Sequence, residues 1–192
     1  MPRAGLSTDR VVAAAADLAD EVGFDAVTVS ALARGFGVKD ASLYSHIKNL
    51  QDLRERVALL ASTEFADRIG AAVAGRAGKD ALAAFASAYR EFAVHHPGRY
   101  SATQMQLPTA VLETASGPRR LIEATSAMLR AYGLDEPDQT DAVRLLRSFF
   151  HGFADLEAAG GFHHSRDLDA SWSRVIAALH TLLQNWPGTV AV

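Results

Sequence analysis

Apolar residues recur at helical spacing along nearly the whole chain. Val11, Ala15, Leu18 and Val22 follow one another at intervals of four, three and four residues, which places them on one side of a helix. Later segments repeat this period, and none shows the strict two-residue alternation of a half-buried strand. The pattern therefore predicts an all-α fold of about nine helices.

Composition narrows the classes of protein that this fold can serve. The 192 residues include no cysteine, which excludes disulfides and thiolate metal sites. The longest apolar run is interrupted by Asp17 and Asp20, and no run approaches the ~20 residues that span a bilayer. We expect a cytoplasmic protein without a membrane partner. A net charge of −3 argues against a protein that coats nucleic acid of any sequence, so a DNA contact must be local and geometric.

Two short helices are predicted before residue 40. Ser7 or Thr8 can cap the first helix, and Gly23 ends it. Thr28 opens the second helix, which ends at Gly37. The inward stripe of the second helix consists of Val29, Leu32, Ala33 and Phe36.

A third and even shorter helix is predicted to begin near Lys39. Leu43 and Ile47 are its inward anchors, and only residues 37–39 separate it from the second helix. This spacing is that of a helix-turn-helix, in which the third helix is the recognition helix. Small and polar side chains on its outer face let such a helix enter the major groove of DNA, which is about 12 Å wide. The candidates for that face are Lys39, Asp40, Ala41, Ser42, Ser45 and His46.

The charge around this segment is opposite in sign to that of the whole chain. Residues 28–56 contain five cationic and three anionic side chains. The cations are Arg34, Lys39, Lys48, Arg54 and Arg56, and the anions are Asp40, Asp52 and Glu55. This excess agrees with a DNA contact, and a solvated helical face is the competing explanation.

Longer helices are predicted after the first three. One begins at Leu50 and weakens between residues 70 and 78. The next contains an apolar stripe from Leu82 to Ala93, and residues 95–99 end it because proline cannot continue the helix. A short irregular or helical piece around Met105 follows.

Three more helices are predicted in the last third of the chain. The first follows residues 116–118 and ends at Gly133, and an acidic loop at 134–141 separates it from the other two. The apolar stripes of those two helices extend to Leu156 and to Trp186.

A set of residues between positions 8 and 60 has the spacing of one known family. After an amphipathic first helix, the set comprises Gly23-Phe24, Thr28, Leu32-Ala33, Gly37-Val38, Leu43-Tyr44, Lys48 and Leu53. In these residues the segment resembles the DNA-binding domain of the TetR family of transcriptional regulators. The resemblance implies a double-stranded DNA operator, whose phosphates or bases Thr28 and Ser30 would meet. It also implies that the DNA is approached by Lys39, Ser42, Tyr44, His46 and Lys48, with the Tyr44 hydroxyl on a phosphate.

Three residues depart from the pattern of that family. Lys39 stands where a hydroxyl residue usually caps the recognition helix, Ile47 where an aromatic residue is frequent, and Leu50 where a lysine is common. The missing lysine removes one phosphate contact. Two outcomes stay open: DNA affinity is lower than is usual for the family, or Arg3 and Arg10 in the N-terminal arm supplement the missing contact.

The C-terminal part resembles one subgroup of the same family, which is named for a Trp-His-Gly motif. Phe150-His151-Gly152 stands in place of that motif within residues 148–162. The resemblance implies a helix-turn-helix domain at 1–50 and a ligand-binding and dimerisation domain at 51–192. It also implies a homodimer in which the last two long helices pair with those of a second copy. The expected interface residues are Gly152, Leu156, Trp172, Ile176, Leu179 and Leu183, and core packing within one chain is the competing explanation.

Aromatic and methionine residues are candidates for the lining of an effector cavity. They are Phe85, Tyr89, Phe92, Tyr100, Met105, Met128, Tyr132 and Phe149. Small-molecule sites are mostly apolar, so this set favours a small and mostly apolar effector. The same residues at helical spacing also suit a closed core.

The histidines favour neither a metal site nor catalysis. Adjacent histidines, as at 95–96 and 163–164, do not readily face one metal and no cysteine assists them, so we expect no metal and no cofactor. His151 has Asp155 one turn later but no nearby nucleophile, and the common hydrolase, nucleotide-binding and metalloprotease motifs are absent. We therefore expect no enzyme, and the resemblance to the TetR family implies a ligand-responsive repressor that binds a palindromic operator as a homodimer. Two alternatives stay open: a helical ligand-binding or interaction module that does not bind DNA, and a helical enzyme that uses His151.

Overall fold

The computed structural model describes residues 5–187, which form ten α-helices and no strand. The all-α prediction is confirmed, with ten helices where about nine were expected. The helices are α1 Thr8–Val22, α2 Val29–Phe36, α3 Asp40–Leu43, α4 Leu50–Val73, α5 Gly78–His95, α6 Pro97–Thr103, α7 Thr109–Thr114, α8 Ser116–Leu129, α9 Asp138–Ala158 and α10 Leu168–Gln184. Single 3₁₀ turns lie at Phe24–Ala26 and Arg130–Tyr132. Within residues 5–187, none of the helices has the length and apolar content that a membrane crossing requires.

The ends of the first two helices follow from local capping chemistry. The Ser7 hydroxyl oxygen accepts a hydrogen bond from the backbone N–H of Arg10 at 3.3 Å, which satisfies a donor in the first turn of α1. The Thr28 hydroxyl accepts in the same way from the N–H of Ala31 at 3.2 Å. Gly37 ends α2 in the left-handed conformation with φ 65°, which glycine adopts without strain. The predicted boundaries of both helices are confirmed.

Of three later boundaries, one is confirmed and two differ from the structure. Helix α5 ends at His95, as predicted for residues 95–99, and Pro97 then begins α6, because a first-turn residue needs no N–H partner and proline already has a helical φ. Residues 116–118 lie inside the first turn of α8 and not before it. The loop expected at 134–141 is shorter, since α9 begins at Asp138. Helix α7 was not predicted from the sequence, and none of its residues is buried.

Backbone contacts divide the chain into two compact units. The first comprises the chain up to Phe65 together with His95–Arg119. The second comprises Ala66–Val94 and the chain from Arg120 onward. The boundary between the units after Phe65 lies within α4, and the boundary after Val94 lies within α5.

The core of the first unit combines the predicted apolar stripes of the first three helices. Val11, Ala15 and Leu43 are completely buried there, and Leu32 and Ile47 are nearly so. Ala102 of α6 joins the same core. Val22, which the sequence places on the inward stripe of α1, is instead half exposed at the end of that helix.

Helix α6 is held against the C-terminal half of α1 by backbone proximity and by charge. Gly98 lies so close to the backbone of Ala19 that a Cβ atom there would overlap with the carbonyl group of Ala19. The Asp20 carboxylate accepts from the backbone N–H of Arg99 at 2.8 Å and also pairs with the Arg99 guanidinium. That guanidinium bonds Asp17 at 2.6 Å as well. Burial opposes the charge of Arg99, but these carboxylates outweigh it and raise the pKa of Arg99.

The core of the second unit is largely aromatic. Phe150 lies at its centre. The ring centroids of Phe85, Tyr89 and Trp172 are 5.9, 5.3 and 5.8 Å from the centroid of the Phe150 ring. These contacts bring α5, α9 and α10 together, and such aromatic pairs contribute about 0.5–1.5 kcal/mol each beyond the area they bury.

A single arginine joins the same three helices at the edge of this core. Arg90 of α5 makes a two-pronged hydrogen bond to Glu157 of α9, at 2.7 and 2.6 Å, and a third bond to Asp169 of α10 at 2.7 Å. The guanidinium lies over the rings of Phe153 and Trp172. The bonds to Glu157 raise the pKa of Arg90, so it stays charged at every ordinary pH.

Candidate nucleic-acid interface

The recognition helix is short and firmly anchored. Helix α3 contains four residues, and a further turn follows in which the N–H groups of His46 and Ile47 donate to the carbonyl of Leu43 at 2.8 and 3.1 Å. Leu43 and Ile47 are buried, so both predicted anchors are confirmed. The Thr8 hydroxyl donates to the carbonyl of His46 at 3.3 Å, which ties this turn to α1.

The ten residues predicted to approach DNA lie on the surface of the first unit. His46 is partly buried and the other nine are exposed. They occupy the N-terminal turn of α2 and the segment from Lys39 to Lys48. The Ser30 hydroxyl donates a hydrogen bond to the Asp40 carboxylate and so links these two segments. The set is therefore one surface, which we call the α2–α3 face: Thr28, Ser30, Lys39, Asp40, Ala41, Ser42, Tyr44, Ser45, His46 and Lys48. Contact of these residues with DNA stays a prediction.

Side chains on the α2–α3 face differ in how free they are to bind a ligand. The Tyr44 side chain stands 53% exposed at the end of α3. The Ser45 hydroxyl donates to the carbonyl of Ser42 at 2.8 Å, whereas the Ser42 hydroxyl projects from the same turn without such a bond in the described chain. Ser42 and Tyr44 are thus the most available hydroxyl groups of the recognition helix.

The start of α4 is fixed by reciprocal capping next to the α2–α3 face. The Asn49 side-chain oxygen accepts from the N–H of Asp52 at 2.9 Å, and the Asp52 carboxylate accepts from the N–H of Lys48 at 2.9 Å. Asp52 also pairs with Arg56 at 3.0 Å. Partial burial opposes ionisation of Asp52, but the hydrogen bonds from Lys48 and Arg56 outweigh it and hold its pKa below the ordinary value of 3.8. Leu50, the departure from the family pattern, packs against the core.

Removal of the Asp52 charge is expected to destabilise the fold in a pH-dependent manner. Asp52→Asn keeps an acceptor for the N–H of Lys48 but loses the charge that pairs with Arg56, so it should lower the free energy of unfolding by up to about 1 kcal/mol at pH 7. A carboxylate with a lowered pKa stabilises the fold above its unfolded-state pKa, and this contribution is lost as the pH falls through the folded-state pKa. Urea unfolding at pH 7 and near pH 3 should therefore show a smaller difference between variant and wild type at the lower pH. Glu55→Gln, on the same helix turn, is the control and should show little effect at either pH.

Two of the local cations serve the fold. Arg54 donates to the carbonyl of Asp25 at 2.8 Å and lies 5.9 Å from the ring centre of Phe24, while Arg56 bonds Asp52. Arg34, Lys39 and Lys48 are exposed around the α2–α3 face. In the N-terminal arm, the Arg10 guanidinium donates to the carbonyl of Gly5 at 2.8 Å, and Arg3 lies outside the described residues. Part of the excess positive charge predicted for residues 28–56 is thus engaged in contacts within the chain.

Comparison with known proteins shows the family of the chain. Residues 11–57 match the family model described as bacterial regulatory proteins of the tetR family, and residues 82–179 match the model for a tetracyclin repressor-like C-terminal domain. The chain belongs to the TetR family of transcriptional regulators. One relative is the uncharacterized HTH-type transcriptional regulator Rv0681 of Mycobacterium tuberculosis, 39% identical over 82% of this chain and 72% of its own length. Another is YobS of Bacillus subtilis, also an uncharacterized HTH-type regulator, 33% identical over 90% of each chain.

Solved structures share the TetR-family fold. The transcriptional regulator SCO7222, a TetR from Streptomyces coelicolor, superposes with a TM-score of 0.71 at 22% identity, covering 94% of this chain and 98% of its own. Apo ActR from the same organism superposes with a TM-score of 0.69 at 19% identity, covering 97% and 100%. At this level of identity the agreement concerns the fold alone.

The residues proposed for the effector cavity of this TetR-family chain fall in both compact units. Tyr100 and Met105 belong to the first unit, and the other six belong to the second. Most of them are buried, and Phe85 and Tyr89 contact each other with ring centroids 6.4 Å apart. The Tyr132 hydroxyl lies 3.0 Å from Nδ1 of His180, and partial burial raises the pKa of Tyr132. Lining of a cavity by these residues stays a prediction.

A surface cavity of about 450 Å³ lies elsewhere, in the first unit. One wall consists of Ala19, Asp20 and residues 22–26, and the other of Pro97, Gly98 and Ser101. None of the predicted cavity residues contributes to it. Sequence reasoning missed this cleft because its two walls are more than seventy positions apart and carry no shared motif.

The predicted interface residues of α9 and α10 divide into two groups. Trp172, Ile176, Leu179 and Leu183 are buried by their own chain. Leu156 is 50% exposed, and a Cβ atom on Gly152 would meet nothing within 4 Å in the chain. Leu145 and Leu182, which were not predicted, are also exposed on these helices.

The histidines form no cluster that suggests a metal site. In the described part of the chain, no group of three or more His, Cys, Asp or Glu residues is arranged to hold a metal ion. His151 lies 3.4 Å from the Asp155 carboxylate, one turn further along α9, and both side chains are substantially exposed. Pairs at this spacing are common on helix surfaces.

Proposed function

We propose that this TetR-family chain is a ligand-responsive repressor that binds a palindromic operator as a homodimer. The observation that carries the proposal is the α2–α3 face, where exposed polar and small side chains stand on a recognition helix anchored by Leu43 and Ile47. Ligand-responsive repression is typical of the family. We assign the DNA-binding domain to 1–50 and the regulatory domain to 51–192, and we place the protein in the cytoplasm, where its operator would be.

The proposed dimer uses the outer sides of α9 and α10. Three apolar side chains are exposed on these helices: Leu145, Leu156 and Leu182. At Gly152 the surface of α9 is open, since a Cβ atom there would meet nothing within 4 Å. The buried residues Trp172, Ile176, Leu179 and Leu183 would support this surface from behind. We place the C-terminal domain in the Trp-His-Gly subgroup, with Phe150-His151-Gly152 in place of the motif.

The proposed effector is a small and mostly apolar molecule. The aromatic character of the candidate lining residues supports this choice, since ligand sites are mostly apolar with few polar groups. Release of DNA requires the effector to prefer the subunit arrangement that does not fit the operator. A shift from 99% to 1% DNA-competent dimer needs a preference of about 5.5 kcal/mol.

Selection of DNA fragments tests the proposal, and two substitutions sharpen it. Purified protein should retain from a randomised duplex pool an inverted repeat whose half-sites are ~34 Å apart or a multiple of that distance. Tyr44→Phe should weaken binding to all duplexes alike, because it removes a phosphate contact, whereas Ser42→Ala should change the preferred bases.

The outcomes test the roles of Ser42 and Tyr44 separately from DNA binding itself. Titration at several salt concentrations should give a steep loss of affinity with salt for wild type, since phosphate contacts release counterions. An identical selected motif for wild type and Ser42→Ala would remove Ser42 from base recognition. Failure of wild type to retain any duplex at low salt would reject DNA binding and leave the ligand-binding module as the better reading.

A further inference from the structure

Asp40 is an anion in the middle of a surface proposed to contact a polyanion. It is exposed at the first position of α3. Among residues 5–187 no cationic side chain forms an ion pair with it, in contrast to Asp52, which pairs with Arg56. Its one recorded side-chain partner is neutral: the Ser30 hydroxyl donates to Oδ2 of Asp40. The carboxylate is therefore accessible and oriented by a neighbouring helix.

The Ser30 hydroxyl has a single proton, and that proton is directed to Asp40. A phosphate oxygen is an acceptor only, so a hydroxyl that already donates to a carboxylate has no second proton to give to phosphate. The family resemblance implies that Ser30 meets phosphate or base, and donation from its hydroxyl to phosphate conflicts with the hydrogen bond in the structure. The geometry gives Ser30 a different task, which is to hold the Asp40 carboxylate.

A carboxylate on a recognition helix can gain only from a donor on the DNA. Phosphates repel it, and the donors in the major groove are the amino groups of cytosine and adenine. The adenine amino group adjoins the N7 acceptor, which repels a second carboxylate oxygen, whereas the cytosine amino group adjoins an apolar C–H on the same base. N-terminal residues of a recognition helix are those that reach base edges.

We propose that Asp40 accepts a hydrogen bond from the amino group of a cytosine in each half-site, and that Ser30 is its positioning residue. This inference rests on the proposed DNA-binding function and adds a specificity-determining residue to it. Asp40 also lowers affinity for DNA in general through phosphate repulsion. It thereby widens the difference between the correct site and any other.

The test is selection from a pool of duplexes with a randomised central segment, followed by titration of the selected sites. Wild type should prefer cytosine at one position of each half-site by at least about 5-fold, the lower end of the usual cost of a mismatched base pair. Asp40→Ala should reduce this preference below about 2-fold and should bind unselected duplex more tightly at low salt. Asp40→Asn keeps an acceptor for Ser30 but should shift the preference toward adenine, which asparagine recognises through N6 and N7.

The role of Ser30 is tested by a pair of variants. Ser30→Ala should keep cytosine as the preferred base but weaken its preference several-fold, and Ser30→Thr, which restores a hydroxyl, should recover it. Thermal unfolding of each variant should stay close to that of wild type, because both residues are exposed. A Ser30→Ala variant with unchanged base preference would overturn the positioning role.

Failure of this inference can be told apart from failure of the proposed function. If wild type selects an inverted repeat and both Asp40 variants select the same one with the same preferences, Asp40 does not read a base. If wild type enriches no sequence over a pool carried through without protein, DNA binding itself is rejected, and the role of Asp40 with it.

Discussion

Gly98→Ala is expected to destabilise the protein strongly. The added Cβ would overlap with the carbonyl group of Ala19, and backbone atoms cannot rotate away as a flexible side chain can. Helix α6 would have to move off α1, which also strains the bonds of Arg99 to Asp20 and Asp17. We expect a loss of about 2–4 kcal/mol in the free energy of unfolding, within the range for overpacked sites. Urea unfolding followed by circular dichroism measures it.

The matched control for this substitution is Gly70→Ala. Gly70 also lies within a helix, α4, but its Cβ would meet nothing within 4 Å. Alanine there should stabilise the protein by up to about 1 kcal/mol, since glycine is the poorer helix former. If Gly98→Ala were as stable as Gly70→Ala, the close approach of α6 to α1 would be incorrect.

Gly152→Leu is expected to convert a dimer into a folded monomer. Glycine in the middle of a helix costs roughly 1 kcal/mol relative to alanine, and no contact within the chain requires it at this position. A leucine therefore fits the isolated chain, but a partner helix that packs closely over Gly152 would meet it, and a two-fold axis repeats the clash. We expect wild-type helicity by circular dichroism, sedimentation as a monomer, and a loss of operator affinity of at least about 100-fold, because one half-site supplies too few contacts.

The same control position serves here with a different side chain. Gly70→Leu adds the same volume to a site on α4 where an added Cβ likewise meets nothing within 4 Å. It should sediment as wild type does. A folded Gly152→Leu protein that sediments as a wild-type dimer would show that the interface lies elsewhere, and the exposed leucines of α9 and α10 would then need another explanation.

Local chemistry made much of the DNA-binding unit predictable. The hydroxyls of Ser7 and Thr28 each cap a helix by accepting from an N–H three residues later. Gly37 ends α2 by donating to carbonyls three and four residues earlier. Leu43 and Ile47 are buried as predicted, because one helical turn separates them and neither has a polar alternative. Prediction failed at the starts of α8 and α9, because a residue such as Pro118 suits a loop and the first turn of a helix equally well.

The sequence by itself determined the all-α class, the boundaries of the first helices and the residues of the α2–α3 face, because these depend on periodicity and on neighbours in the chain. Only the tertiary structure decided that Ser30 holds Asp40, that Asp20 receives the first turn of α6, and that Gly98 lies against Ala19. Those contacts join positions between 10 and 79 residues apart. Their formation depends on how helices pack, since a side chain meets a distant partner only after the shared apolar faces have fixed the separation and direction of both helices.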